Sequence, residues 1–236
     1  MARHIEAILF DKDGTLMDFQ RSWGPWGAAM IARCCGPDRQ KQRALAEALG
    51  IDLVAQRFLP QSAVIAGTPD DVLALLLPFF PNNSAEEIAG WLEPDAESFA
   101  PVPVPGVQEC CAAFRQQGLG MAVVTNDFEA AAQDHLAQME LAPFFDVVIG
   151  YDSGYGGKPA PGPCLGAAER LGVAPEACVM VGDSLHDLEA GWRAGMLPVA
   201  VLTGVAQASE LADHAAVVLN SVAELPAWLS DGNIGG

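Results

Sequence analysis

The chain has 236 residues, 51% of them apolar, and a formal net charge of −18. That length carries one domain of ordinary size with room for a substantial insert, and the apolar share is enough to fill a core. Such acidity excludes nucleic acid and anionic membranes as partners, because both demand a basic footprint.

The first predicted element is a strand over 5–10, which runs into Asp11-Lys12-Asp13-Gly14-Thr15. Alternate residues of extended backbone point the same way, so Asp11 and Asp13 face one ligand while Lys12 points elsewhere. Two anions this close raise each other's pKa unless a cation lies between them. The pair implies a divalent metal, a shared proton, or both.

Roughly 80 to 90 residues without a convincing strand follow. Helical patterns cover 23–35, 39–49, 70–80 and 85–99, punctuated by Pro37, Pro60, Pro69 and Pro81. The stretch Pro101-Val102-Pro103-Val104-Pro105-Gly106 reads as a stiff return linker. The predicted organisation is a helical domain over 18–100 inserted into a core made of 1–17 and 101–236. Six of the twelve basic residues fall in the insert: Arg21, Arg33, Arg39, Lys41, Arg43 and Arg57. They are either solvated helix charges or contacts for an anionic substrate. Trp23 and Trp26 belong either to the helical core or to the floor over a substrate.

Beyond the linker, short apolar runs at 119–125, 146–150, 178–183, 198–202 and 215–219 alternate with helical patterns at 107–117, 129–139, 163–171 and 187–194. Near-continuous apolarity marks strands buried on both faces. Alternation with helices predicts an α/β fold, a doubly wound parallel sheet. In such a sheet, ligands bind beyond the carboxyl ends of the strands. Those ends carry Asp11 and Asp13, then Thr125-Asn126-Asp127, then Gly182-Asp183-Ser184-Leu185-His186-Asp187, with Lys158 in the loop after the third strand. Taken singly each is an ordinary cap or turn residue; their joint occurrence, in order, is the signal. Gly154 to Gly157 does not form a P-loop, since Lys158-Pro159 breaks that pattern. His186 lacks a second histidine at zinc-ligand spacing.

The six cysteines, Cys34, Cys35, Cys110, Cys111, Cys164 and Cys178, show no C-x-x-C spacing. Adjacent cysteines are poor disulfide partners, so reduced, mostly buried thiols are expected, as in a reducing compartment. No signal-like segment opens the chain, and the apolar stretch 72–80 is too short to span a bilayer. A cytoplasmic protein is expected, as a monomer or a homodimer, with a frayed tail over 231–236.

The motifs together resemble the haloacid dehalogenase superfamily in its phosphatase branch, and among its subgroups the phosphoglycolate phosphatases. The resemblance rests on Asp11-x-Asp13-Gly14-Thr15, Thr125, Lys158, and Gly182-Asp183 with Asp187, and it covers essentially the whole chain, the insert standing where the family places a cap. It implies Asp11 as nucleophile, forming an aspartyl-phosphate, and Asp13 as general acid and then base. Thr125, Asn126, Lys158 and the Gly14 backbone would bind the phosphoryl group. Mg2+ would be held by Asp11, the Asp13 carbonyl and Asp183, with Asp187 orienting a metal water or Lys158. The implied reaction is magnesium-dependent hydrolysis of a small phosphate monoester such as phosphoglycolate. The alternative is phosphoryl transfer within a sugar phosphate, as in the family's phosphomutases, which often carry valine at the position of Thr15. Dehalogenation is disfavoured because dehalogenases of the family lack the second aspartate.

Overall fold

The computed structural model describes residues 4–65, 67–93 and 99–230. In chain order the elements are β1 (Ala7–Phe10), helices α1 (Phe19–Cys35) and α2 (Arg39–Leu49), the two-residue strands β2 (Ile51–Asp52) and β3 (Arg57–Phe58), helices α3 (Pro69–Leu76), α4 (Ala85–Gly90) and α5 (Val107–Gln116), β4 (Gly120–Val124), α6 (Glu129–Gln138), β5 (Val147–Ile149), α7 (Gly162–Leu171), β6 (Cys178–Gly182), α8 (Leu185–Arg193), β7 (Leu197–Val201), α9 (Ala208–Leu211), β8 (Val217–Leu219) and α10 (Leu225–Ser230). They divide into two compact units, one made of Met1–Asp18 with Pro103–Gly236, the other of Phe19–Val102.

The first unit is built on a six-stranded parallel sheet in the order β5-β4-β1-β6-β7-β8. Every residue of β1 is fully buried, as a central strand covered on both faces requires. Phe10 meets Phe114 of α5 and stands edge-on to Phe145. Ala7 and Leu9 join Ala167, Ala168 and Ala190 in a core cluster under α7 and α8. Burying one such phenylalanine contributes roughly 1.5–3 kcal/mol.

The chain lays β4 and β5 outward on one flank of β1, then crosses back to place β6, β7 and β8 on the other. The order therefore reverses at β1, and the carboxyl ends of β4, β1 and β6 border the crevice where open α/β sheets bind ligands. Phe10 pairs with Val123 on one side and Val181 on the other. Asp11 thus emerges level with Val124 and Gly182, one residue short of Thr125 and Asp183. Helix ends follow the sequence signals: Gly172 closes α7 with φ +71°, its N–H bonded to the Ala168 and Glu169 carbonyls.

In the second unit, Asp38 caps α2 by accepting from the Gln40 and Lys41 N–H groups, and Gly50 closes it. Thr68 with Asp71 and Ser84 with Glu87 form capping boxes that start α3 and α4. The helix predicted over 85–99 ends at Gly90 instead. Glycine is a poor helix interior residue, and turns follow over 91–93; the remainder of that prediction over 94–98 lies outside the described residues, as does the predicted frayed tail over 231–236. The antiparallel pair β2 and β3 was not expected from the sequence. Two residues per strand are too few to show a period. Trp23 packs edge-on to Trp26 and against Phe99, an aromatic core for the helices. Of the insert's basic residues, Lys41 lies over the Phe80 ring, and Arg33 donates to the Trp91 carbonyl. Among the described residues no helix is long and apolar enough to cross a membrane.

Candidate active site

The strand ends bring Asp11, Asp183, Asp187 and Lys158 into one cluster. The Lys158 ammonium, buried with them, donates to Asp11 Oδ1 at 2.5 Å, to Asp187 Oδ1 at 2.6 Å and to the Val124 carbonyl at 2.7 Å. Asp11, Asp183 and Asp187 each offer a carboxylate oxygen within 4.8 Å of the others. Burial of Asp11, added to by Asp187 and Asp13 and opposed by Lys158, pushes its carboxyl up to about 7. Asp183 is raised well above the carboxylate range, by burial first and then by Asp187 and Asp11. Burial would lower the Lys158 pKa, but the two carboxylates outweigh it and the lysine stays cationic. With all three buried carboxylates ionised, one ammonium would leave an excess of negative charge. That excess, and a donor set made only of hard oxygens, suits a divalent cation of the magnesium class.

The backbone shapes this cluster. Asp11 extends β1 through its N–H bond to the Val181 carbonyl. Gly14 sits at φ +86°, and a Cβ there would overlap the Asp183 carboxylate. A Cβ on Gly204 would collide with the same carboxylate, and Thr203 beside it donates its hydroxyl to the Gly14 carbonyl at 2.6 Å. Two glycines therefore let two loops close onto Asp183. Asp187 lies in the first turn of α8, where its Oδ2 accepts from the Ser184 N–H and hydroxyl. One oxygen of Asp187 is thus tied to the helix start, the other to Lys158.

Thr125 is buried at the end of β4, and its hydroxyl accepts the Asp127 N–H at 3.1 Å. The side-chain amide of Asn126 lies on the Lys158 backbone. It donates Nδ2 to the Lys158 carbonyl at 3.0 Å and accepts the Lys158 N–H at 2.8 Å. The amide matches both backbone groups of one residue, so it fixes the loop that presents the lysine. His186 is half-buried in the first turn of α8. All six cysteines are free thiols. Cys164, six residues past Lys158, is pushed up to about 12 chiefly by burial, so it is not a reactive thiolate.

Lys12 departs from expectation. It is fully buried, and its ammonium reaches Asp13 Oδ2 at 2.6 Å, Asp127 Oδ2 at 3.0 Å and His135 Nδ1 at 3.2 Å. Strand alternation gives the direction of its Cβ, but the four-carbon stem folds back onto the neighbouring carboxylate. The signal in the sequence was a lysine set between two aspartates at the mouth of an apolar strand; no local rule pointed to Asp127 or His135.

The family model of the haloacid dehalogenase-like hydrolases matches residues 5–195. The chain belongs to that family. A phosphoglycolate phosphatase of Nitrosospira multiformis is 33% identical to this hydrolase over 194 residues, covering 81% of this chain and 80% of that protein. Among solved structures, a HAD family hydrolase from Deinococcus radiodurans with bound phosphate and sodium aligns at TM-score 0.64 and 26% identity, over 98% of both chains. A β-phosphoglucomutase from Clostridium difficile aligns at TM-score 0.66 and 18% identity, over 97% of both chains, a likeness of fold alone.

Proposed function

We propose that this haloacid dehalogenase-like hydrolase is a magnesium-dependent phosphatase that hydrolyses a small phosphate monoester, phosphoglycolate or a close analogue, through an aspartyl-phosphate on Asp11. The observation that carries it is the contact of Asp11 with Lys158 beside Asp183 and Asp187, four residues drawn from three separate stretches of the chain onto one rim. The Nitrosospira multiformis relative named for that activity supports the substrate. The Deinococcus radiodurans structure, which has phosphate and sodium bound, supports an oxyanion and a cation as ligands.

Asp11, Asp183 and the Asp13 backbone carbonyl would hold Mg2+, which supplies the positive charge that lets a carboxylate approach an anionic ester. An Asp11 carboxylate oxygen attacks phosphorus while the bond from phosphorus to the ester oxygen breaks. The departing electron pair stays on that oxygen, which takes a proton from Asp13. Water then attacks the aspartyl-phosphate, gives its proton to Asp13, and the bond from phosphorus to Asp11 breaks. Inorganic phosphate leaves and both aspartates return to their starting states. Lys158 balances charge on Asp11 and the transferring oxygens. Asp187 and Asn126 hold Lys158 in place from its side chain and its backbone, and Thr125 with the Gly14 backbone borders the phosphoryl position.

The test is phosphate release from 2-phosphoglycolate and a panel of metabolite phosphates, with magnesium and with chelator. Stoichiometric phosphate release that needs magnesium and disappears in Asp11→Asn supports the proposal. Turnover retained in Asp11→Asn, or an isomerised sugar phosphate formed without phosphate release, overturns it.

A further inference from the structure

The two aspartates of the first strand end do not share one lysine. Asp11 is held by Lys158, while Asp13 is held by Lys12, whose side chain is wholly buried. A buried ammonium is tolerated only when paired, and it carries three donors. Asp13 Oδ2 and Asp127 Oδ2 pair with its charge, and His135 Nδ1 accepts one of its protons in a hydrogen bond. Asp127 is itself fixed, because its Oδ1 accepts the Phe128 N–H at 2.8 Å and its own N–H binds the Thr125 hydroxyl. His135 is buried in α6, and burial with the Lys12 charge lowers its pKa to about 4. It is therefore neutral near pH 7, with Nδ1 as the acceptor and the proton on Nε2.

We infer that Lys12, anchored from behind by Asp127 and His135, is a positioning residue that pins one oxygen of Asp13 and so presents its carboxyl to the departing ester oxygen in a single orientation. The inference rests on the role of Asp13 as proton donor and goes beyond it by naming what aims the donor. Proton transfer demands hydrogen-bond reach to the departing oxygen, and a displacement of about 1 Å costs on the order of 100-fold in rate. The geometry also explains the lysine between the aspartates: it gives Asp13 its own clamp, separate from the ammonium that serves Asp11.

The experiment compares two substrates with magnesium present: 4-nitrophenyl phosphate, whose leaving group needs little protonation, and 2-phosphoglycolate, whose alkoxide needs it. In Lys12→Met the expected kcat falls on the order of 100-fold for the alkyl ester and at most about tenfold for the aryl ester, with KM little changed. His135→Leu, on a helix away from the strand end, gives the same selective loss at about a tenth of the size, and His135→Gln, which restores an acceptor, recovers it. Should Lys12→Met fail to fold, the His135 pair decides. A merely structural role lowers both substrates by the same factor, and that result overturns the inference. Asp13→Asn separates the two claims. If it shows no leaving-group selectivity, the proton-donor role fails and the inference falls with it. If it shows selectivity while the Lys12 and His135 variants do not, only the inference fails.

Discussion

Replacing Lys158 by methionine keeps the length of the side chain and removes its charge. The lysine lies 2.5 Å from Asp11 and 2.6 Å from Asp187, and all three groups are buried. Removing one partner of a buried ion pair leaves an uncompensated charge and costs about 3–5 kcal/mol. Here the loss has a ceiling, because Asp11 can take a proton: its carboxyl is already raised to about 7 with the lysine present, and the lysine is what opposes a further rise. With a folded pKa above the unfolded value of 3.8, the folded state binds more protons between pH 4 and 7, so this group's contribution to stability grows as pH falls through that window. Lys158→Met shifts the window upward. In urea unfolding with chelator present, the variant is expected to lose about 3–5 kcal/mol at about pH 8 and clearly less at about pH 6. Its kcat on 2-phosphoglycolate is expected to fall by about 10²–10³. A stability loss under about 1 kcal/mol at the higher pH, the size of an exposed pair, or one that does not change with pH, refutes the description of this lysine as the counter-ion of a buried carboxylate cluster.

Three other outcomes follow from the geometry. Gly204→Ala places a methyl group on the Asp183 carboxylate, so the magnesium concentration for half-maximal activity should rise about tenfold, as an outer support of a metal ligand does when lost, with the circular dichroism spectrum unchanged; an unaltered requirement contradicts that packing. Magnesium should stabilise the protein against urea by about 2.7 kcal/mol at a hundred times its Kd, and Asp183→Asn should abolish that gain; equal stabilisation of both proteins places the cation elsewhere. His135 is depressed to about 4 in the folded chain from 6.5, so the unfolded state binds more protons in between and stability declines as pH drops from 6.5 to 4. That histidine accounts for about 3 kcal/mol of the decline, and His135→Gln should flatten the urea-derived curve by that amount; superimposable curves sink the assignment.

Much of the architecture was legible because β1 and β6 are fully buried, and β4 is buried past Gly120, so all three read as unbroken apolar runs. Their carboxyl ends fell within a residue or two of the observed ones, which was enough to collect Asp11, Thr125 and Asp183 on one rim. Lys158 was marked by its place in a glycine-rich loop, but its partners were set by tertiary contacts across more than one crossover. Asn126 shows what residue type leaves out: nothing in its sequence context pointed to its side-chain bonds with the Lys158 backbone. Lys12 shows another limit, since periodicity fixes where a Cβ points and says little about the far end of a flexible stem. In the insert, β2 and β3 were too short to leave a pattern, and the helix expected past Gly90 gives way to turns over 91–93.

Rapid acid quench during turnover of 2-phosphoglycolate with magnesium, followed by peptide mass mapping, examines the chemistry at its source. The expected finding is one phosphoryl group on the peptide containing Asp11, lost in Asp11→Asn together with activity. A phosphoryl group on any other residue, or steady turnover of the wild-type chain with an unmodified Asp11 at every quench time and phosphate still released by Asp11→Asn, would contradict the account.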